Sequence, residues 1–458
     1  MRLHAAIVAF GSVLSLLCGG QLAQPSSFPF SVPPADAPEL AHCGAYSVGV
    51  RTVELVHPNQ VDILHFDSQT GKAPLYNRML KVEIWYPATI PPGKEESTTY
   101  ISAMPGRSEQ GVSGPERTFE IKGKALRDAP PLRGSRFPLV VVSHGYPGSR
   151  TFLTYLTENL ASKGYVVAAI DHTDSVFGEV KGFQSTLLNR SSDQLFTMEA
   201  LEKLSTDPNH FLQGLIDATN VAIVGYSMGG YGALTSAGAG YSKGSALMKF
   251  VPGNYLDEWA ADSPKFRSLD RKAVKAIVAI APWGEQPPYL AWDAGGLAAI
   301  HVPSLFIVGD HDDVADYTSG VKRVFEGAVN SQRYMLVYEN ARHNTGGNPP
   351  PPGVPLNYGA IQSFDEPVWR KDRVTAINQH FITAFLDLYL KRDNSRQAYL
   401  QVPVPQSNNG QWKAPPGARD EGAFSTGQDA SGPFWRGFQR RWALGLELYQ
   451  YAAGQGAN

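Results

Sequence analysis

The chain has 458 residues, among them 2 cysteines, 45 glycines and 34 prolines, and its net charge is -2 at pH 7. Two cysteines are too few for a disulfide-built scaffold, and a hydrophobic content of 43% excludes a disordered chain. The frequency of glycine and proline excludes a coiled coil, and the balance of 40 basic and 42 acidic residues speaks against a nucleic-acid partner. A globular protein rich in loops remains, with enough chain for one large domain or one domain with attachments.

The N-terminus, residues 1–23, is predicted to be a secretory signal peptide. Arg2 precedes an apolar run from Ala5 to Cys18, which is too short to span a bilayer as a helix, and small residues follow. Cys18 leaves a lipoprotein anchor open as an alternative, although Leu17 stands where such a signal prefers a small residue. We therefore expect a secreted or periplasmic protein with no stable membrane insertion.

Residues 24–45, rich in proline and serine at their start, are predicted to be a linker. Cys43 would be the only cysteine of the processed chain, so it cannot form an internal disulfide. We interpret it as a small buried hydrophobe.

Residues 46–395 show a succession of strand-like and helix-like segments. Two segments at the front, 46–57 and 79–88, alternate apolar and polar residues as half-buried strands do. Later apolar runs are continuous, which is typical of strands buried on both faces of a parallel sheet, and they end at Gly145, Asp171, Ser227, Trp283, Asp310 and Asn340. Helix-like segments lie between several of them, so the sequence predicts an α/β fold whose mostly parallel central sheet has helices on both faces.

Several segments depart from this alternation. Residues 89–135 are predicted to be irregular, and two excursions, 173–220 and 238–272, follow strand ends or the helices beyond them. Because α/β proteins place their sites there, both excursions are candidate lid-type insertions or walls of a site, with surface decoration as the alternative. Residues 396–458 are predicted to be a C-terminal extension that resumes as a helix over residues 434–451.

The sequence Gly225-Tyr226-Ser227-Met228-Gly229 fits the pattern G-x-S-x-G. It lies between a predicted strand and a helix rich in small residues, which is the context of a nucleophile elbow. There the two glycines permit a tight turn, and the serine is exposed at a helix N-terminus that favours developing negative charge. Ser227 is therefore the candidate nucleophile, and a helix-capping serine is the alternative.

A serine nucleophile needs a base held by an acid. In proteins whose serine lies in a nucleophile elbow, the order along the chain is serine, acid, histidine. His343 follows the last predicted sheet strand and is the candidate base. The acid should follow the preceding strand, in the sequence GDHDDV; we choose Asp312, and Asp313 stays open as an alternative. The cluster from Asp310 to Asp313 could also bind a metal, but no other ligand has convincing spacing to it, so no metal is predicted.

An acyl-transfer site also needs hydrogen-bond donors for an oxyanion. The backbone N–H of Met228, directly after the nucleophile, is one candidate, and that of Tyr146, in the glycine-rich loop after the third sheet strand, is the other. His144 in the same loop is interpreted as a structural histidine. The chain has no dinucleotide-binding or phosphate-binding motif in a suitable context, so no cofactor is predicted.

The stretch from Val53 to Leu390 resembles the α/β-hydrolase superfamily, close to its dienelactone-hydrolase-like branch with plasma-type platelet-activating-factor acetylhydrolases and bacterial cutinases. The resemblance rests on the motifs IWYP, VVVSHGYPGSR, GYVVAAIDH, GYSMGGYGAL, APW and GDHDDV. In cutinase-like members a tyrosine of the oxyanion loop and a tryptophan after the sixth strand flank the acyl group, and Tyr146 and Trp283 match those positions. The excursions are longer than in compact cutinases, and the segment from Gln401 onward has no counterpart in them.

Together these features predict a secreted serine hydrolase that cleaves carboxylic esters of small molecules or lipids through an acyl-enzyme intermediate. One alternative is a phospholipase-type acetylhydrolase that acts on short-acyl phospholipids. Another is a secreted binding protein with a vestigial hydrolase site. The sequence does not predict the oligomeric state.

Overall fold

The computed structural model describes residues 29–103, 118–353, 356–410, 435–439 and 442–456. The predicted signal peptide, residues 1–23 with Cys18, lies outside the described residues. Within the described ranges, no helix is both long enough and apolar enough to cross a lipid bilayer.

The strands lie close to where the sequence predicts them, and additional short strands occur between them. Their bounds are β1 Ser47–Val61, β2 Leu75–Ala88, β3 Thr98–Ala103, β4 Thr118–Gly123, β5 Leu126–Arg127, β6 Phe137–Ser143, β7 Val166–Asp171, β8 Ile216–Tyr226, β9 Val274–Ile280, β10 Ser304–Gly309, β11 Arg333–Tyr338 and β12 Leu446–Tyr451. The helices are α1 Thr154–Ser162, α2 Phe183–Thr206, α3 Met228–Ser236, α4 Pro264–Ser268, α5 Ala294–Ala298, α6 Lys322–Gly327, α7 Tyr358–Ile361, α8 Lys371–Tyr389 and α9 Gln397–Leu400.

The central sheet has ten strands in the order β12-β11-β10-β9-β8-β6-β7-β2-β1-β5. The six strands from β11 to β7 are parallel to one another, whereas β2 and β12 pair antiparallel with the two ends of this block. The predicted mostly parallel sheet is therefore confirmed. All carboxyl ends of the parallel block lie along one edge, which is where α/β sheets form their sites.

Helices cover both faces of the sheet, as predicted. Successive residues of a buried strand point to opposite faces, so Val140 and Val142 of β6 join one core and Leu139 and Val141 join the other. One core contains side chains of α1 and α8, and the other contains side chains of α2, α3 and α6. Burial on both faces explains why these strands are continuous apolar runs in the sequence.

The prediction that residues 89–135 are irregular is wrong in part. β3 and β4 form a separate two-stranded antiparallel sheet, and β5 pairs with β1. In β4, exposed and buried residues alternate strictly. That alternation is the signal of a half-buried strand, but it extends over too few residues to be distinguished from a polar loop.

The excursion 173–220 contains α2, a 24-residue helix whose Leu187, Leu195 and Leu201 are buried in a core next to the sheet. A lid would stand above the strand ends, whereas α2 covers the sheet, so this part of the excursion belongs to the body of the fold. The excursion 238–272 forms two 3₁₀ helices, Ala246–Phe250 and Pro252–Trp259, followed by α4.

The predicted helix over residues 434–451 is wrong. Its described end forms β12, which pairs antiparallel with β11 and completes one edge of the central sheet. Leu446 and Leu448 are buried while Glu447 between them is half-buried, which is the two-residue period of a strand. Gly445, with φ of +84°, adopts a left-handed conformation just before the strand, and this interrupts a helix. Part of the predicted extension is thus a strand of the central sheet.

The described part of the predicted linker, from residue 29, packs against the body. Leu40 and Ala41, in the 3₁₀ helix Glu39–Ala41, are buried, and the Leu40 N–H donates to Nδ1 of His380 on α8 at 3.1 Å. Cys43 is a free thiol and is half-buried, where burial was expected.

Candidate active site

Ser227 occupies the turn between β8 and α3. Its backbone has φ of 53° and ψ of -114°, a combination that L-residues adopt only under strain. The turn is held by two backbone bonds: the Ser227 N–H donates to Ile280 O at 2.8 Å, and the Trp283 N–H donates to Ser227 O at 3.2 Å. The strained turn directs the Ser227 side chain above the carboxyl end of the parallel block, as a nucleophile elbow requires.

The two glycines of the motif are required because the backbone approaches itself closely. A Cβ on Gly225 would lie 2.1 Å from Gly229 O, and a Cβ on Gly229 would lie 2.0 Å from Ser143 O. Neither position has room for a side chain. Glycine at both positions therefore allows the sharp turn and the close packing of α3.

Ser227, His343 and Asp312 form one hydrogen-bonded chain. The Nε2 atom of His343 lies 3.0 Å from Ser227 Oγ, and its Nδ1 atom lies 3.0 and 2.9 Å from the two carboxylate oxygens of Asp312. Asp312 is buried, and its Oδ1 atom also accepts the N–H groups of Val314 and Ala315 at 2.9 and 2.8 Å. The three side chains come from the loops after β8, β11 and β10; β11 and β10 are neighbours in the sheet, and β9 separates β10 from β8.

Asp313, the alternative acid, has a different environment. Its carboxylate forms a short ion pair with Arg342, and both side chains are about half exposed. His343 makes no hydrogen bond to it among the described contacts. The geometry therefore brings Asp312, and not Asp313, to the histidine.

The loop that carries His343 is held by Glu366, a residue that the sequence analysis did not select. The Glu366 carboxylate accepts the N–H groups of Arg342 and Asn344, each at 2.6 Å, on the two sides of His343. Burial raises the pKa of Glu366, and the two donors oppose that shift. No motif marks this residue, because it lies 23 positions after the histidine and binds the backbone N–H groups of the residues on either side of it.

Tyr226, next to the nucleophile, supports the histidine from the other side. Its ring centroid lies 5.4 Å from that of His343, and its hydroxyl donates to His343 O at 3.3 Å. Burial, followed by the charge of Asp312, raises the pKa of Tyr226 well above its ordinary value, so the hydroxyl stays protonated.

The two candidate oxyanion donors lie on either side of Ser227. Met228 is the first residue of α3, and the N–H groups of a first helical turn have no partner within the helix. Tyr146 lies in the loop after β6, and within the described residues its N–H donates to no other group. This loop passes beside the nucleophile, because a Cβ on Gly145 would lie 3.2 Å from Cβ of Ser227.

Aromatic side chains form a wall next to these donors. Phe183, the first residue of α2, lies between the two predicted substrate-binding residues: its ring centroid is 4.9 Å from Tyr146 and 5.4 Å from Trp283. Tyr289 continues the row at 4.5 Å from Trp283. The Tyr146 hydroxyl donates to Lys181 O at 2.8 Å, so the loop before α2 fixes its ring. The sequence analysis missed Phe183 and Tyr289, which have no motif.

Among the described residues, no group of three or more histidine, cysteine or carboxylate side chains could hold a metal ion. In the cluster Asp310–Asp313, Asp310 instead accepts the Asn340 N–H and contacts the ring of His311.

Two family models match the chain. One is described as PET hydrolase-like and matches residues 129–262, which include Tyr146 and Ser227. The other is described as platelet-activating factor acetylhydrolase, isoform II, and matches residues 42–195. Both descriptions fit the α/β-hydrolase superfamily. The elbow after β8 and the order serine, acid, histidine along the sequence are features of that superfamily.

The individual relatives that match this chain are distant and match in part. Cutinase est1 of Thermobifida alba is 25% identical over 215 residues, which are 46% of this chain and 55% of the relative. Cutinase 2 of Thermobifida cellulosilytica is 23% identical over 46% of this chain and 63% of the relative. A platelet-activating factor acetylhydrolase of Cavia porcellus is 22% identical over 255 residues, 47% of this chain and 54% of the relative. The chain thus spans little more than half the length of these relatives.

A solved structure, a ferulic acid esterase from Streptomyces cinnamoneus, matches 78% of this chain and 94% of its own chain. The sequence identity is 21% and the TM-score is 0.48.

Proposed function

We propose that this protein is an exported α/β-hydrolase, a serine hydrolase that cleaves carboxylic esters, with Ser227, His343 and Asp312 as its catalytic triad. The observation that carries the proposal is the hydrogen-bonded chain from Ser227 Oγ through both ring nitrogens of His343 to the buried Asp312. Export is inferred from the N-terminal sequence, residues 1–23.

The proposed reaction follows from this geometry. With the Nδ1 proton of His343 donated to Asp312, Nε2 is free to accept the proton of Ser227 as its oxygen attacks the ester carbonyl carbon. The tetrahedral oxyanion is stabilised by the N–H groups of Met228 and Tyr146. His343 then protonates the leaving alcohol, and a water molecule, activated by the same histidine, releases the carboxylic acid and restores Ser227.

Asp312 has two tasks in this proposal. Its two bonds to backbone N–H groups fix the carboxylate, and its contact with Nδ1 holds the required tautomer of His343. Its negative charge also stabilises the imidazolium that forms during the attack. Burial of Asp312 keeps water away from its carboxylate, which strengthens the interaction.

The bound ester is proposed to lie against the aromatic wall of Tyr146, Phe183 and Trp283. Trp283 is held close to the nucleophile by its backbone bond to Ser227 O. Flat apolar surfaces of this kind favour apolar acyl or alcohol groups. Esters, rather than amides, are favoured because the matched relatives are named cutinase and acetylhydrolase.

A phospholipase-type acetylhydrolase is the second candidate, and the match of residues 42–195 to the acetylhydrolase model favours it. It shares the triad and differs in substrate, so a substrate panel separates the two. We expect hydrolysis of p-nitrophenyl acetate in solution by the first candidate. Activity confined to acetylated phospholipid in vesicles would favour the second.

The test of catalysis is labelling with a fluorophosphonate probe together with turnover of p-nitrophenyl acetate. We expect both in the wild-type protein and neither in Ser227→Ala. Ser331→Ala is the matched control, because Ser331 is also a buried serine but bonds to Val302 O, away from the triad. A folded wild-type protein that reacts with neither reagent would refute catalysis and favour the binding protein with a vestigial site.

A further inference from the structure

Three polar side chains of α2, namely Arg190, Asp193 and Gln194, point into the space below the candidate oxyanion hole. All three are buried, although arginine and aspartate are almost never fully buried without a specific partner. None of them belongs to the triad. Their partners lie on the two segments that carry the oxyanion donors.

Arg190 binds the loop that carries Tyr146. Its Nη1 atom donates to His144 O at 2.8 Å, and its Nη2 atom donates to Gly145 O at 3.4 Å and to Ser175 Oγ at 2.8 Å. The two carbonyls immediately precede Tyr146. Burial lowers the pKa of Arg190 to about 9, so the guanidinium is still charged at neutral pH and makes charge-assisted bonds to these carbonyls.

Asp193 reaches the start of the same loop through His172. The carboxylate lies 2.9 Å from His172 Nδ1, and His172 Nε2 lies 2.7 Å from Ser143 Oγ. Burial lowers the pKa of His172 to about 3, so the ring is neutral, donates to Asp193 and accepts from Ser143. Asp193 is itself paired with Arg78, whose Nε donates to it at 2.8 Å.

Ser143, His172 and Asp193 are hydrogen-bonded in the same order as the serine, histidine and aspartate of a catalytic triad. They are not a second active site. The three side chains are at most 1% exposed, so no substrate can reach Ser143. The arrangement instead ties the last residue of β6 to α2.

Gln194 binds the other half of the candidate oxyanion hole. Its Nε2 atom donates to Gly229 O at 3.0 Å, and its Oε1 atom accepts from Ser236 Oγ at 2.9 Å. Gly229 directly follows Met228. A Cβ on Gly232 would lie 2.6 Å from Gln194 Nε2 and 2.7 Å from Arg190 Cγ, so α3 lies directly against these two side chains.

We infer that Arg190 and Gln194 are positioning residues that hold the N–H groups of Tyr146 and Met228 at the spacing that an oxyanion requires, with Asp193 fixing the base of the loop. This inference rests on the proposed function. One rigid helix contacts both donor segments from below, so the spacing of the donors follows from the position of α2. Neither residue touches the substrate in this role.

The test compares Arg190→Met with Arg333→Met. Arg333, the first residue of β11, lies away from the oxyanion hole. Like Arg190 it is buried and donates to backbone carbonyls, in this case those of Phe325 and Gln455. The two substitutions therefore remove the same chemical group from the same kind of environment. For each folded variant, kcat and KM with p-nitrophenyl acetate, the Ki of a trifluoromethyl ketone and Tm are measured.

We expect Arg190→Met to lower kcat by about 10- to 100-fold with little change in KM, since removing one oxyanion donor entirely costs about 10²–10³. The Ki of the ketone, whose serine adduct carries an oxyanion, should rise by the same factor as kcat/KM falls. Arg190→Lys should recover part of the loss. Arg333→Met should lower Tm but leave kcat and Ki unchanged.

Equal kinetic effects of Arg190→Met and Arg333→Met would overturn the inference. A change in KM with an unchanged kcat in Arg190→Met would also overturn it. If Arg190→Met does not fold, Gln194→Leu decides: a parallel change in kcat and Ki supports the inference, and wild-type kinetics overturn it. A wild-type protein without turnover and without probe labelling would refute the proposed function itself. That result is distinct from equal effects of the two arginine variants.

Discussion

Replacing Asp312 by Asn is expected to remove most of the activity, for a reason that the hydrogen bonds make specific. The Oδ1 atom accepts two backbone N–H groups, from Val314 and Ala315, and also lies 3.0 Å from His343 Nδ1, whereas Oδ2 contacts only His343 Nδ1, at 2.9 Å. The oxygen of an asparagine must therefore keep the Oδ1 place, and its NH₂ group must face Nδ1. His343 can pair with that donor only as the other tautomer, which carries its proton on Nε2.

A proton on Nε2 points at Ser227 Oγ, which lies 3.0 Å away, so the ring can no longer accept the serine proton. In a serine protease the equivalent exchange lowers kcat by about 10⁴-fold, which corresponds to roughly 5 kcal/mol of activation free energy. We expect a loss of this size here, with little change in the fold because asparagine is isosteric.

The assay is kcat for p-nitrophenyl acetate, with Asp313→Asn as the matched control. Asp313 loses only an ion pair between half-exposed side chains, which contributes at most about 1 kcal/mol to stability. Its kcat should stay close to that of the wild-type protein. The assignment of the acid would be refuted if Asp312→Asn kept about a tenth or more of the wild-type kcat. It would also be refuted if Asp313→Asn lost more of its kcat than Asp312→Asn.

Two further predictions concern groups that support the site and the fold. Glu366→Gln presents an NH₂ group to one of the two backbone N–H donors beside His343. We therefore expect kcat to fall by about 10-fold with little change in KM. An unchanged kcat would show that other contacts suffice to hold the loop. Burial lowers the pKa of His380 to about 3, so the folded state keeps this ring neutral while the unfolded state binds a proton below about pH 6.5. Because of His380, the free energy of unfolding should decrease by about 1 kcal/mol for each pH unit below 6.5. Chemical denaturation at pH 7.5 and 5.5 should show a smaller loss in His380→Gln, and equal losses would contradict this expectation.

The positions of the central strands along the chain and their burial on both faces follow from the sequence alone, because a strand buried on both faces must be a continuous apolar run. The strands β6 to β11 are of this kind. Ser227 is likewise selected by local sequence, since a sharp turn between strand and helix needs glycines at fixed positions. Short or edge elements carry weaker signals. Thus β4 was not predicted, and β12 was predicted as a helix because its two-residue period extends over only six residues.

The choice between Asp312 and Asp313 illustrates what the tertiary structure decided. Both carboxylates have the same local sequence, and only the folded loop turns one towards His343 and the other towards Arg342. Positions far apart in the chain have no sequence signal for their contact, as with Glu366, which binds the backbone beside His343.

The supports of the oxyanion loop depend in the same way on long-range packing. Arg190 lies 46 positions from His144, whose carbonyl it binds, within a segment that the sequence suggested as a lid. A polar residue within a helix looks solvent-exposed in the sequence, and only the packing of α2 against α3 and the loop after β6 buries it. The sequence by itself therefore determined the fold class and the candidates Ser227 and His343, and it narrowed the acid to Asp312 or Asp313. The groups that hold the candidate site in position became apparent only from the folded structure.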